Sequence, residues 1–282
     1  MDELLFVNST FEKDNTSRYK LSIQLCLDGF SFSILNSENK CLALFQSKKL
    51  NSDSENSSID VLKDNIRNCD YLNFTYDHVS IIWLTKKVCL IPSELFSETL
   101  ATDSFQLCHP ILKSEIINWN ECKELDAYIV FALPLDLPVF LDSQFPRSEI
   151  SHQSLSFYQR VFKHSIDDIH PKVFIEIYDN FFDAFIPDSG QKYFTNNFSY
   201  KEETDMVYFI LNIYKQQKLN TEYSQLHISG KIDETSKAFQ TLKRYIKNIS
   251  INSIENESFS KNNISDSVYN QFTKLLNPSL CE

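Results

Sequence analysis

The 282-residue chain is 42% hydrophobic, 13% aromatic and 23% charged, enough for one large or two medium domains with a sizeable core. Its formal net charge of −11, with no basic run to offset it, repels polyphosphate and anionic lipid, so neither nucleic acid nor a membrane surface is expected as a partner. No stretch approaches the roughly 20 uninterrupted apolar residues of a membrane-spanning helix. The N-terminal MDELLF opens acidic where a secretory signal opens basic, and the seven cysteines form no C-x-x-C pair, so a cytoplasmic protein with reduced, mostly buried thiols is expected.

Residues 1–18 show no clear period and read as a lead-in. Leu21, Ile23, Leu25 and Leu27 then alternate with Ser22, Gln24 and Cys26, and Phe30, Phe32 and Ile34 repeat the alternation after Asp28-Gly29. Alternation is the period of a half-buried strand, and Asp-Gly between two such runs predicts a hairpin whose turn uses positive φ. A third strand is predicted at about 41–47. After the polar NSDSENSS, Ile59, Leu62, Ile66 and Cys69 recur at helical spacing, and HVSIIWL at 78–84 reads as a buried strand. Lys87 to Ile91 reads as a short strand, Pro92-Ser93 opens a helix running to Leu100, and 102–109 reads as connecting chain. DAYIVFAL at 126–133 is a further strand. A helix follows between Pro138 and Pro146, and Leu155, Tyr158, Val161 and Phe162 give an amphipathic helix that stops around His164.

The opening pattern then returns. Val173, Ile175 and Ile177 lead to an Asp179-Asn180 turn, Phe181 to Ile186 run back, a second turn falls at Pro187-Asp188-Ser189-Gly190, and a third strand covers 192–198. Met206, Phe209, Ile210, Ile213 and Tyr214 form one helical stripe, 224–229 a strand ending at Gly230, and Ala238, Phe239, Leu242, Tyr245, Ile246 and Ile249 a second stripe. A strand at 249–254 and a helix through Val268, Phe272, Leu275 and Leu276 close the chain. The predicted domains are therefore 1–165, with an extra strand-and-helix block at about 102–164, and 166–282 including the C-terminal helix.

A β-β-β-α-β-α unit used twice, each with an Asp in its first hairpin turn, resembles the actin-like ATPase superfamily. That resemblance implies an α/β protein of two tandem RNase H-like domains. The opening strands, VSIIWLTKKVCLIPSELF and PKVFIEIYDNFFDAFI are more narrowly similar to a bacterial family of unknown function assigned the same fold. In active members of the superfamily the two turns clamp phosphates and a glycine pair approaches the adenosine. Carried onto this chain, the resemblance implies Asp28, Gly29 and Ser31, with Ser33 beyond, at the first turn, Asp179 and Asn180 at the second, and Gly230 at the adenosine position, with Asp28 and Asp179 holding magnesium-bound waters.

The pattern departs from that of an ATPase in its glycines. Only Gly29, Gly190 and Gly230 occur, and phosphate-cradling loops need glycine for close backbone approach. Gly29 directly follows Asp28, Phe30 takes the place of a small residue, and Phe181 and Phe182 follow Asp179-Asn180. As turn formers, both aspartates are explained without a ligand. The expectation is a non-catalytic cytoplasmic binding or scaffold module, with no cofactor and a protein partner whose identity and stoichiometry stay open. Phe181, Phe182 and Phe185 are candidates to line its binding cleft. The alternatives are a divergent Mg-ATP-binding ATPase or kinase-like protein, and a cytoplasmic platform for a pilus- or secretion-type assembly.

Other groupings point to less. A nuclease-type pair of metals needs an acid at the end of the fourth strand, where Trp83-Leu84-Thr85 and Ser229-Gly230 stand. His152, His164 and His170 with Asp167 and Asp168 match no zinc spacing and are expected at a surface or domain boundary. Cys108-His109, just before Pro110, reads as loop and not as a nucleophile and base.

Overall fold

The computed structural model describes residues 4–47, 49, 58–165, 170–187, 193–251 and 266–276. The chain divides into two compact units: Met1–Leu155 together with Lys274–Glu282, and Ser156–Thr273.

In the first unit the strands are β1 (Leu4–Val7), β2 (Lys20–Cys26), β3 (Gly29–Leu35), β4 (Cys41–Gln46), β5 (His78–Trp83), β6 (Val88–Pro92), β7 (Glu115–Cys122), β8 (Ala127–Pro134) and β9 (Glu149–His152). Helix α1 (Ser58–Arg67) joins β4 to β5, α2 (Glu98–Cys108) joins β6 to β7, and α3 (Leu137–Gln144) precedes β9. The main sheet has the order β1-β4-β3-β2-β5-β9. β2, β3 and β4 are antiparallel neighbours, whereas β2, β5 and β9 run parallel. Leu21, Ile23 and Leu25 lie directly opposite Ile34, Phe32 and Phe30, and all six are buried. Each such side chain contributes roughly 1.5–3 kcal/mol by leaving water, which is why the alternation specifies this register. The opposite face carries Ser22, Ser33 and Ser80, also buried, with the Ser80 hydroxyl donating to Ser22 Oγ at 3.1 Å and Ser33 Oγ bonding the Leu275 carbonyl.

Between β5 and β9 the chain builds a separate three-stranded sheet, β6-β8-β7, on which α2 packs Ala101 and Phe105 against Ile91, Val130 and Ala132. The spacing of Ala101 and Phe105 places both on one helical face. Ser97 caps this helix, its hydroxyl accepting from the Leu100 amide at 3.2 Å. The helix thus begins at Glu98 and includes most of the stretch expected as connecting chain, while Ser93–Leu95 forms only a 3-10 turn. β1, β7 and β9 were not evident in the sequence. β1 and β9 are four residues long, and β7 is mostly half-buried with polar residues on both faces, so neither a 2-residue period nor an apolar run marks them.

Helix α4 (Gln153–Ser165) starts at the end of the first unit and continues into the second. The second unit then runs β10 (Lys172–Ile177), β11 (Phe181–Pro187), β12 (Tyr193–Ser199), α5 (Glu203–Gln216), β13 (Gln225–Gly230), α6 (Lys237–Tyr245), β14 (Asn248–Ile251) and α7 (Asp266–Gln271). Its sheet order is β12-β11-β10-β13-β14, the same third-second-first-fourth-fifth arrangement that β4-β3-β2-β5-β9 shows in the first unit. Val173, Ile175 and Ile177 pack with Met206, Ile210, Ile213 and Tyr214 of α5 and Ala238, Phe239 and Leu242 of α6. The expected turn at 188–190, with Gly190, and the continuation of the last strand past Ile251 lie outside the described residues, as do Asp167, Asp168 and the side chain of His164.

Candidate functional site

In both units the predicted aspartate falls just past the carboxyl end of the first hairpin strand, β2 or β10, the position at which open α/β sheets commonly bind ligands. In the first unit Cys26 pairs with Gly29, so Leu27 and Asp28 occupy the turn and Gly29 already belongs to β3. This corrects the expected Asp28-Gly29 turn. No positive φ occurs here, because register is set by the Leu25–Phe30 pair and by Ser47, whose hydroxyl accepts from the Phe30 amide at 3.0 Å while its own amide donates to the Phe30 carbonyl at 2.9 Å. Asp28 is exposed and forms an ion pair with Lys49 at 3.4 Å. Ser31 is 5% exposed, enclosed in the sheet opposite Gln24 and Gln46, and Ser33 is fully buried, so neither is the ligand-facing hydroxyl that was expected. A strand covered on both faces hides its alternate positions too.

The second turn matches expectation in position. The Tyr178 amide donates to the Phe181 carbonyl at 2.9 Å across Asp179-Asn180, and the Asn180 carbonyl accepts from the Tyr200 amide at 2.9 Å. β13 lies parallel to β10 in a register that puts Gly230 beside Ile177. Gly230 has φ +88°, and a Cβ there would stand 2.2 Å from the Ile177 carbonyl oxygen, so only glycine fits. The chain leaves β13 with the Lys231 amide donating to that same carbonyl at 2.9 Å, which carries the Lys231 ammonium onto the Asp179 carboxylate. The fold therefore gathers Asp179, Asn180, Gly230 and Lys231 at one point.

Beneath this turn the sheet buries charge. Glu176 and Asp183 are directly opposite each other on β10 and β11, each 2% exposed. From α4, Arg160 Nη2 donates to Glu176 Oε2 at 3.1 Å and to Ser229 Oγ at 3.3 Å. Asp183 accepts from the Tyr178 hydroxyl at 3.3 Å and from Asn197 Nδ2 at 2.7 Å. Burial, with the two carboxylates beside it, pushes the Tyr178 hydroxyl well above its usual range. The guanidinium offsets the buried charge of Glu176, and the hydrogen bonds from Tyr178 and Asn197 offset the burial of Asp183. Neither Arg160 nor this acid pair was identified from sequence; the available signal was an acid in each of two strands otherwise apolar on both faces.

Phe181, Phe182 and Phe185, expected to line a cleft, are buried at 5%, 0% and 1% exposure. Phe182 stacks on Phe198, and Phe185 meets Tyr158 and Tyr193. His152 is no surface residue either. It is 1% exposed, with Nε2 bonded to the Thr85 carbonyl at 3.0 Å and Nδ1 accepting from the Ser154 amide at 3.2 Å. Burial pulls its pKa down to about 3. His170 is exposed. Cys108 is the last residue of α2 and not loop, whereas His109 follows it as the C-cap in extended backbone, with Nε2 3.1 Å from the Val88 carbonyl. Among the described residues no group of three or more His, Cys, Asp or Glu side chains could hold a metal ion, and no helix is long and apolar enough to cross a membrane.

Two sheets that share one five-strand order, each presenting a hairpin aspartate, define the class: this is an actin-like ATPase fold. The chain belongs to the family described as protein of unknown function (DUF3822), whose profile matches residues 8–249. It is similar to the crystal structure of a Bacteroides thetaiotaomicron VPI-5482 protein with an actin-like ATPase fold and unknown function. The identity is 27%, covering 86% of this chain and 94% of that one, with a TM-score of 0.75. It is also similar in fold to a chain of the PilM-PilN type IV pilus biogenesis complex, at 9% identity over 91% of this chain and 96% of that one, with a TM-score of 0.54. A comparison with curated proteins finds no match.

Proposed function

We propose that this chain is a non-catalytic binding or scaffold module of the cytoplasm built on the actin-like ATPase fold. The observation that carries the proposal is that both hairpin aspartates are partnered by lysines of their own chain, Asp28 by Lys49 and Asp179 by Lys231. In a magnesium-nucleotide site these carboxylates would hold the metal's waters, and an ammonium at the same oxygens neutralises the charge that attracts the metal. Such exposed pairs are worth only about 0–1 kcal/mol, so their strength alone does not exclude a nucleotide. The surroundings support the same reading. The Phe30 amide is taken by Ser47, and the buried rings of Phe30, Phe181 and Phe182 stand where a phosphate loop needs glycine. Six cysteines of the described residues are free thiols, in keeping with a reducing compartment.

A thermal-shift titration with Mg-ATP tests the proposal, since a ligand that binds only the native state raises its melting temperature. No magnesium-dependent shift is expected. A shift that disappears in Asp28→Ala and Asp179→Ala would establish a divergent nucleotide-binding protein instead. The fold shared with a chain of the PilM-PilN type IV pilus biogenesis complex favours one particular kind of scaffold, a cytoplasmic platform for a pilus- or secretion-type assembly. Co-purification with a membrane protein from the native cell would support that reading, and recovery of soluble monomer alone would count against it.

A further inference from the structure

The chain's net charge of −11 is not evenly spread. In the second unit, helices α5 and α6 pack directly on each other. Near their starts the Ala238 amide donates to Glu203 Oε2 at 3.1 Å. Just past their ends the Lys247 amide donates to the Thr221 carbonyl at 3.0 Å, and Asn248 Nδ2 to the Glu222 carbonyl at 2.8 Å. Both helices therefore finish at one end of the unit. Lys215 is in the last turn of α5, and Lys218 follows its C-cap in a left-handed turn of φ +54°, while Lys243 and Arg244 are in the last turn of α6. All four are exposed, and among the described residues none of their side chains makes an ion pair or a hydrogen bond.

Three observations indicate what this end receives. The first is sign. Glu222 is the only acid between Met206 and Ile232 and between Thr235 and Ile251, and it is already paired with Lys247 at 2.9 Å. The second is excess. Two helix ends present only about half a negative charge each, so they balance roughly one of the four cations and leave about three unanswered. The third is the presence of aromatic rings. Tyr245 ends α6 and Tyr223 adjoins Glu222, and they are 59% and 61% exposed. Tyrosine with arginine is the composition of a protein interface centre, and flexible lysines suit its rim, where they steer an oppositely charged partner. Other anionic occupants fit less well. A bilayer needs a lipid chain or a broad apolar face besides basic charge, and a nucleic acid brings an unbroken line of phosphates against a chain of net charge −11.

We propose that this end of the second unit docks an acidic segment of a partner protein, with a carboxylate bonded to the Arg244 guanidinium, apolar side chains against Tyr223 and Tyr245, and Lys215, Lys218 and Lys243 around them. The proposal rests on the reading of the chain as a binding module and gives that module its surface. No basic run marks this surface in the sequence, because its cations come from two stretches, 215–218 and 243–244, that are brought together by the parallel pairing of β13 with β14.

The test is selection of a random peptide library displayed on phage against the full-length chain, followed by fluorescence anisotropy of the enriched peptides. Enriched sequences are expected to combine several Asp or Glu with an aromatic or long aliphatic residue. They should bind about tenfold or more weakly to Arg244→Glu and to Tyr245→Ala, and more weakly as NaCl is raised from about 0.05 M to about 0.3 M. Lys113→Glu, at an exposed position of the first unit, makes the same change in net charge and should bind as wild type does. Circular dichroism and a urea midpoint confirm that each variant is folded, and Arg244→Gln replaces Arg244→Glu if the latter is unfolded. Failure to enrich acidic peptides, equal affinity for wild type and Arg244→Glu, or an equal loss in Lys113→Glu overturns the proposal. So does binding of phosphatidylserine vesicles or of a single-stranded oligonucleotide that is lost in Arg244→Glu, which assigns the surface to a membrane or to nucleic acid. Mg-ATP enters none of these measurements, so the docking surface and the non-catalytic reading fail separately.

Discussion

Acidification should destabilise the first unit through His152. The Ser154 amide can only donate, so Nδ1 of His152 must be unprotonated, and Nε2 carries the proton donated to the Thr85 carbonyl. A second proton would break the Ser154 bond and place an unsolvated cation near the buried Lys274, which adds to the effect of burial in lowering the pKa. The unfolded chain binds a proton at about 6.5, the folded chain only at about 3. Between these values the unfolded state holds more protons, so stability is complete above about pH 6.5 and is lost progressively as pH falls toward 3. With one pKa unit worth about 1.4 kcal/mol, the loss at about pH 5 is about 2 kcal/mol. The assay is urea denaturation at about pH 7.5 and pH 5 for wild type and His152→Gln, an uncharged replacement that keeps a donor and an acceptor. Both tryptophans of the chain, Trp83 and Trp119, belong to this unit, so their fluorescence follows its unfolding. His152→Gln is expected to be less stable at neutral pH but to lose about 2 kcal/mol less than wild type on acidification. Parallel stability–pH curves for the two proteins would refute the reasoning.

Replacing Arg160 by Met should cost about 3–5 kcal/mol in urea denaturation of the second unit, because buried Glu176 would lose the guanidinium that it meets at 3.1 Å while Asp183 stays opposite it. The double variant Arg160→Met, Glu176→Gln should regain a large part of that loss, and a single variant within about 0.5 kcal/mol of wild type would show that the network does not bear charge as described. Gly230→Ala should destabilise by about 1–3 kcal/mol from its dihedral alone, with the 2.2 Å approach to the Ile177 carbonyl adding to it. An unchanged urea midpoint for Gly230→Ala would mean that the backbone at this strand end relaxes freely.

Much of the architecture is legible in the residues. Alternation over 21–35 gives the first hairpin, apolar runs on either side of Asp179-Asn180 give the second, and the stripes through Met206 to Tyr214 and Ala238 to Ile246 give their helices, since burial on one face imposes a period. The misses share a cause. β1, β7 and β9 owe their strand form to a neighbouring strand already in place, and Ser97 wins the helix start from Pro92-Ser93 by a cap that is visible only with the helix formed. At the candidate site, the sequence placed Asp28, Asp179 and Gly230 at strand ends but treated the phenylalanines as surface, because strands buried on both faces carry no alternation to separate the two sides.

The sequence by itself determined the repeated order of elements, the two hairpin aspartates and the shortage of glycine, all consequences of local pattern and composition. Only the tertiary structure decided what those aspartates meet. Lys231 reaches Asp179 across 52 residues because parallel pairing of β10 with β13 sets their ends side by side. Likewise Glu176, Asp183 and Arg160 come from three elements and share one interior. Such pairings depend on register between distant strands, which burial over the whole sheet selects and no short stretch of chain encodes.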